Sequence, residues 1–294
     1  MTYYQFVQAV EKKVKSQVKE SHAVHIHTAQ KNNGVWRKGL TIEEKGINIA
    51  PTIYLEEYYQ QFQQGSSLES IAADIMNLYN ELRFQTPWKS EKLKTYEEIR
   101  EKIVYRLISR ERNQELLTRV PYVPYLDLAV VFAVILEISQ HGIATMLIQE
   151  EHLKEWGIDR EEIYRRASEN TCRLLPVDFQ TMGAVIEELT AVPQIEDELN
   201  MCVLTNRMKN YGAAVVLYKG ELEAVGRMLE ENYYLLPSSV HEMLILPESC
   251  APEAEELNQL IVEINEAVVD PEEVLGDHAY YYDREKNEVC WETI

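Results

Sequence analysis

The residues with the most chemical potential lie in one short polar stretch, Ser238, Ser239, His241 and Glu242, which interrupts an apolar region. A serine, a histidine and a carboxylate are the residue types of a nucleophile, a general base and the group that orients the base. The sequence has no Gly-x-Ser-x-Gly turn, and Ile245 stands where a zinc-binding helix would need a second histidine. We therefore expect a connection between strands whose hydroxyls bond the local backbone, with a hydrolase as the alternative.

Two histidines form the next candidate. His25 and His27 alternate with the apolar Val24 and Ile26, which is typical of a half-buried strand in which residues two apart share a face. Both imidazoles could bind one metal ion, but no cysteine or acidic pair is placed nearby to complete the ligand set. We expect solvent-facing histidines, and we predict no metal and no other cofactor.

Two further sets of residues could bind a partner. Asn32 and Asn33 fall in a predicted hairpin turn. With Trp36 and the basic Lys31, Arg37 and Lys38 they form a basic, aromatic hairpin that could dock an acidic or nucleic-acid partner. Tyr58 and Tyr59 lie in a predicted helix of a chain that has 18 tyrosines, a residue enriched at interfaces. The simpler interpretations are a plain turn and tyrosines that pack against the sheet.

The polar stretch closes a segment, residues 201–249, that is predicted to run strand, turn, strand, helix, strand. Around it the apolar spacing predicts further elements. These are a helix over residues 3–19; strands from Val24, over Val35–Ile42 and Ile47–Ile49; helices over Ile53–Gln64 and from Leu68; a short helix over Arg110–Arg119; strands over Leu128–Leu136 and Ile143–Ile148; helices over Glu151–Trp156, Glu161–Leu174 and Ala251–Val268; a short helix from Asp270; and a terminal hairpin.

This order of elements, with connections of hairpin length, predicts an α+β fold. We expect an N-terminal lobe, residues 1–86, with a small antiparallel meander and helices. A polar linker, Gln85–Thr95, leads to a C-terminal α+β domain, residues 95–294, with a mixed or antiparallel sheet packed by helices.

Net charge, apolar runs and cysteine spacing argue against several classes of function. The net charge is −20, which repels a phosphate backbone and disfavours direct nucleic-acid binding. No stretch of about 18 apolar residues and no secretory signal are present, so we expect a cytoplasmic protein that does not bind membranes. Four scattered cysteines predict no disulfide framework. An acidic surface could also imitate DNA towards a DNA-binding protein.

Two groups of segments carry a resemblance. The first is KNNGVWRKGLTIEEKGINIAPTIYLEEYYQQFQQGSSLESI, and the second comprises VPYVPYLDLAVVF, HLKEWGIDREEIYRRASENT, LTNRMKNYGAAVVLY and YYLLPSSVHEMLILP. Together they resemble the family known as domain of unknown function 5688, found in Firmicutes and often in mobile elements. The second group is also similar to a shorter, uncharacterised Bacillus family, which implies a separate module over residues 95–294. Neither resemblance implies an activity or a site residue.

We therefore predict a non-catalytic cytoplasmic protein that binds or regulates a protein partner and is associated with mobile elements. One alternative is a hydrolase that uses the loop at residues 238–242. The other is an acidic inhibitor that mimics DNA.

Overall fold

A computed structural model describes residues 1–83, 95–139, 142–190, 201–237 and 239–291. The chain forms two compact units. Unit 1 comprises Met1–Lys31 and Val35–Lys92, and unit 2 comprises Asn32–Gly34 and Leu93–Ile294. Both contain helices and antiparallel sheets, which confirms the predicted α+β class. Of the predicted linker, all but Thr95 lies outside the described residues.

Unit 1 pairs a small sheet with helices. Its elements are α1 (Tyr3–Lys15), β1 (His22–Gln30), β2 (Trp36–Glu44), β3 (Thr52–Tyr54), α2 (Glu56–Gln63) and α3 (Leu68–Leu82). The strands form an antiparallel sheet in the order β1-β2-β3. A capping box between Thr2 and Gln5 begins α1, whose apolar face buries Phe6 and Val10 in the core of this unit.

Two predictions in unit 1 were wrong. The third strand is Thr52–Tyr54, where Ile53 lies opposite Leu40, and Ile47–Ile49 forms no strand. Consequently the next helix begins at Glu56 and not at Ile53. The β-branched Thr52 and Ile53 fit a strand, and pairing with β2 satisfies backbone groups that a helix N-terminus would leave open.

Unit 2 contains two antiparallel sheets. Its elements are α4 (Tyr96–Ile99), β4 (Ile103–Ser109), α5 (Gln114–Leu117), β5 (Tyr122–Tyr125), β6 (Leu128–Ser139), β7 (Gly142–Leu147), α6 (Glu150–Trp156), α7 (Arg160–Leu174), β8 (Val177–Thr181), α8 (Met182–Thr190), β9 (Cys202–Asn206), α9 (Glu221–Leu229), β10 (Tyr233–Leu236), β11 (Met243–Pro247), α10 (Ala254–Ala267), β12 (Tyr280–Asp283) and β13 (Glu288–Cys290). The larger sheet runs β13-β12-β10-β11-β9-β8. In the smaller, β6 pairs with β4, β5 and β7.

One hydrophobic core joins the two sheets of unit 2, and it includes Tyr105, Phe132 and Tyr233. Helix α7 is fastened to β4 by polar side chains as well as by packing. The Thr171 hydroxyl accepts the Tyr105 N–H at 3.1 Å, and the Asn170 amide donates to the Ile103 carbonyl at 3.0 Å. These buried bonds fix the position of β4 in the unit.

Three expectations in unit 2 need correction. The second strand predicted within residues 201–249 is a 3-10 helix, Gly212–Leu217. Its Ala-Ala-Val-Val run is buried throughout, so the sequence shows no period that distinguishes a strand from a helix. The predicted helix over Arg110–Arg119 is shortened to Gln114–Leu117. After Asp270 a turn replaces the predicted helix, and Val274 then bridges to Ser239. Among the described residues, no helix has the length and apolar character of a membrane span.

Candidate functional site

The Ser–His–Glu stretch connects β10 to β11 in the larger sheet of unit 2. Ser239 is buried and forms an isolated antiparallel bridge with Val274, and the neighbouring Val240 N–H donates to the Glu273 carbonyl at 2.8 Å. The turn after α10 therefore holds this connection in place. Ser238 lies outside the described residues.

Both ring nitrogens of His241 have partners. Nδ1 accepts the Tyr211 N–H at 3.2 Å, and Nε2 lies 3.2 Å from the Glu273 carboxylate. Because Nδ1 is an acceptor, the neutral ring carries its proton on Nε2 and donates it to Glu273. Burial lowers the pKa of His241, but the hydrogen bond and charge of Glu273 outweigh burial and leave that pKa raised. The imidazole is thus held between two neighbours of its own chain.

Ser239 is directed at the backbone and not at the imidazole. Its hydroxyl oxygen accepts the backbone N–H of His241 at 3.0 Å, and the hydroxyl also bonds the Glu242 carboxylate. Burial raises the pKa of Glu242 above its ordinary value, an effect that the Ser239 bond only partly offsets. Ser239, His241 and Glu242 lie together, but they do not form the serine-to-imidazole relay that nucleophilic catalysis requires.

A tight backbone corner beneath His241 holds the site. The Thr205 hydroxyl donates to the His241 carbonyl at 2.7 Å. A Cβ on Gly212 would lie 2.0 Å from that hydroxyl and 2.4 Å from that carbonyl, so only glycine fits. Tyr211 adopts a left-handed backbone with φ 50°, a conformation that is unusual for a bulky residue. Its N–H bond to His241 stabilises this conformation.

Sequence reasoning missed Arg106, whose guanidinium lies 3.9 Å from the centroid of the Tyr211 ring and donates to the Thr145 hydroxyl. Burial lowers its pKa. One signal was available: Arg106 is a single charge within the apolar run Ile103–Ile108. A charged residue in such a run is seldom buried without a specific partner.

Sequence reasoning also missed a second polar cluster. The Tyr280 hydroxyl donates to Asp127, whose other oxygen lies 3.5 Å from His278 Nε2. The His278 ring stacks on Trp291 at 4.4 Å. Burial raises the pKa of Asp127, but the neighbouring His278 ring and the Tyr280 hydroxyl outweigh burial and lower that pKa. These contacts join the loop before β6 to the loop before β12.

The histidine pair lies on β1. His25 is exposed with Nε2 3.7 Å from Glu43, and the His27 ring lies beside Gly39 of β2. Within the part of the chain that the structure describes, no three His, Cys, Asp or Glu side chains are grouped to hold a metal ion.

The two asparagines of the predicted hairpin turn bond to backbone carbonyls of their own unit. Asn32 and Asn33 belong to unit 2, where the Asn33 amide donates to the Pro271 and Val274 carbonyls at 2.9 and 2.7 Å, and the Asn32 amide to the Glu272 carbonyl at 2.7 Å. A pair of hydrogen bonds joins Asn33 to Asn113.

The aromatic candidates divide by exposure. Trp36 is 62% exposed. Tyr58 and Tyr59 are partly buried against the core of unit 1, where the Tyr59 ring lies 5.2 Å from Phe6 and its hydroxyl donates to the Met1 carbonyl. Tyr58 and Tyr59 therefore contribute to packing in this unit.

One sequence family matches most of the chain, and its description names no activity. The sequence model of the family described as "Family of unknown function (DUF5688)" matches residues 3–284. No curated protein and no solved structure matches the chain.

Proposed function

Because the chain belongs to the DUF5688 family, whose function is unknown, we propose from the geometry of its site that it is a non-catalytic cytoplasmic protein that binds or regulates a protein partner. We further propose that it is an accessory protein associated with mobile elements, a role in keeping with the resemblance of its sequence.

One observation carries the proposal. Both ring nitrogens of His241 are engaged, by the Tyr211 N–H and the Glu273 carboxylate, while Ser239 bonds the His241 backbone. A general base must reach the proton that it removes, directly or through one water. In this arrangement the histidine stabilises a loop, because its ring nitrogens already serve the polypeptide chain.

A serine-reactive probe separates this proposal from the hydrolase alternative. We expect a fluorophosphonate to leave the folded protein unlabelled, because such probes react with serines that a base has activated. Labelling that is lost in both Ser239→Ala and His241→Ala would contradict the proposal, provided that the circular dichroism spectra of both variants match that of the wild type.

Unit 1 offers exposed aromatic side chains for a partner. Tyr4 on α1 is 68% exposed and Trp36 at the start of β2 is 62% exposed. Aromatic residues, tryptophan above all, are enriched among the residues that dominate binding energy at interfaces. We propose that the partner contacts at least one of these two side chains.

A capture experiment tests this part. The tagged full chain is used as bait in extracts of a bacterium that encodes a family member, beside the Trp36→Ala and Tyr4→Ala variants. Tyr58→Ala serves as the control for a partly buried tyrosine. We expect the wild type to capture a specific protein, and we expect Trp36→Ala or Tyr4→Ala to retain at least tenfold less of that protein. If both variants retain the same proteins as the wild type, the proposed surface is wrong.

DNA mimicry has less support. An imitation of DNA needs rows of unneutralised acidic side chains, whereas on α7 the carboxylates of Glu162 and Glu169 both pair with Arg165 and Arg166. The acidic surface of this helix is interrupted by its own arginines.

A further inference from the structure

Arg106 is a partly buried charged residue on an apolar sheet face. It lies on β4 opposite Val131, and the neighbouring side chains Val104 and Ile108 on the same face are buried in two small hydrophobic clusters. Even partial removal of a guanidinium from water is unfavourable, and a protein normally offsets that cost with a carboxylate or another anion. Sequence alternation would place an apolar residue at this position.

No carboxylate performs that role within the described residues. The guanidinium donates to the Thr145 hydroxyl and also interacts with the Tyr211 side chain, both of which are neutral groups. A guanidinium has five N–H donors, so these two partners leave donors to spare. A cation–π contact and a hydrogen bond to a neutral hydroxyl offset only part of the cost of desolvating the charge.

The structure holds Tyr211 over this arginine at some cost. Tyr211 has a left-handed backbone, which is strained for a residue with a bulky side chain. The His241 ring fixes its N–H, and the close packing of Gly212 against Thr205 fixes the residue that follows. Strain of this kind is concentrated at sites that hold ligands.

A small cavity adjoins the guanidinium. Its lining includes Arg106 and Thr145 on the sheet, Asn210 and Tyr211 on the loop, and apolar residues such as Ile135. The centre of a water-sized sphere can move within about 10 Å³ of this cavity, which is room for one water molecule or one monatomic ion.

We propose that Arg106 forms a binding site for a single halide ion, chloride under cellular conditions, with Thr145 and Asn210 beside it. The bound anion supplies the counter-charge that no described carboxylate provides. It also links β4 to the loop that carries Tyr211 and, through Tyr211, to His241. The segment that carries His241 therefore becomes sensitive to an anion bound at the smaller sheet.

Bromide replaces chloride in such sites and is visible by anomalous scattering. Crystals of the full chain grown with sodium bromide are expected to show an anomalous peak within hydrogen-bond distance of the Arg106 guanidinium. Asn210→Asp, which is nearly isosteric, places a carboxylate in the cavity lining and should displace the bromide. Absence of the peak in the wild type, or an equal peak in Asn210→Asp, would overturn the proposal.

Thermal unfolding provides the solution test. The wild type in sodium chloride is compared with the wild type in sodium gluconate at the same ionic strength, so that screening of surface charges is equal. We expect chloride to raise the Tm by about 2 °C or more. The shift should vanish in Arg106→Gln and in Asn210→Asp. Arg227→Gln, which removes an exposed arginine paired with Glu223, should keep it. A shift that survives Asn210→Asp, or no shift in the wild type, contradicts the proposal even if Arg106→Gln fails to fold.

Discussion

The tight corner at Gly212 gives the sharpest prediction, the effect of Gly212→Ala on the stability of unit 2. The added methyl group would lie 2.0 Å from the Thr205 hydroxyl, 2.4 Å from the His241 carbonyl and 2.8 Å from the Asn206 N–H nitrogen. Two of these three atoms belong to the backbone of neighbouring segments, so rotation of a side chain cannot relieve the overlap. The variant must separate β9 from the loop that holds His241.

The cost follows from two contributions. Overpacking of a closely packed interior costs about 1–3 kcal/mol. Separation of the segments also breaks the buried bond of 2.7 Å between the Thr205 hydroxyl and the His241 carbonyl, which costs about 1–3 kcal/mol when its groups stay buried. We therefore expect Gly212→Ala to lower the free energy of unfolding by about 4 kcal/mol, a large share of the about 5–15 kcal/mol that stabilises an ordinary protein.

Urea unfolding followed by circular dichroism measures this loss, and Gly226→Ala is the matched control. Gly226 lies within α9, where a new Cβ meets the flexible Arg284 side chain at 3.0 Å and the Tyr282 ring at 3.2 Å, and neither contact involves backbone. Alanine gains about 1 kcal/mol in helix propensity, which offsets these contacts. We expect the control to stay within about 1 kcal/mol of the wild type. A loss of less than about 1 kcal/mol in Gly212→Ala would refute the reasoning, because it would show that the backbone relaxes freely around His241.

Three further changes have defined outcomes. Hydrogen bonds, first of all from Tyr96, lower the pKa of Glu162 from 4.5 to about 2. The ionised Glu162 therefore stabilises the fold fully above its unfolded pKa, and this stabilisation is lost as the pH falls through its folded pKa. The difference in Tm between the wild type and Glu162→Gln should shrink from about pH 4.5 to about pH 2. Tyr280→Phe removes the hydroxyl that donates to the partly buried Asp127, and urea unfolding should show a loss of about 1–3 kcal/mol. Tyr59→Ala removes a ring that packs against the core of unit 1 and should cost about 3 kcal/mol in the same assay. Tyr4→Ala, at an exposed position, should change stability by less than about 0.5 kcal/mol.

The parts of the fold that sequence predicts are those in which local signals agree. Leu128–Leu136 and Ile143–Ile148 are β-rich runs, and they form the antiparallel pair β6–β7. On α7 the Asp159 side chain caps the helix, and its apolar spacing matches the buried face that includes Ile163. In such segments propensity, capping and periodicity all favour the same element.

Local sequence signals predicted the wrong element where tertiary contacts determine the secondary structure. Thr52 and Ile53 follow a proline and could begin a helix, but pairing with β2 makes them a strand. The run Gly212–Leu217 is apolar throughout, and a fully buried segment shows no alternation that distinguishes a strand from a helix. The left-handed backbone of Tyr211, which begins this segment, has no signature in the sequence because the preference of tyrosine opposes it.

The candidate site shows why closeness in sequence misleads about chemistry. Ser239 is two residues before His241, and at that spacing a serine hydroxyl readily reaches a backbone N–H, which is the bond observed at 3.0 Å. The ring of His241 points away from its own segment, so its partners, Tyr211 and Glu273, are 30 and 32 residues distant. A serine that is to lose its proton to an imidazole must approach the ring from another segment, as the partners here do. Adjacent serine, histidine and glutamate in a strand connection therefore favour a structural loop, unless a distant hydroxyl is brought to the ring.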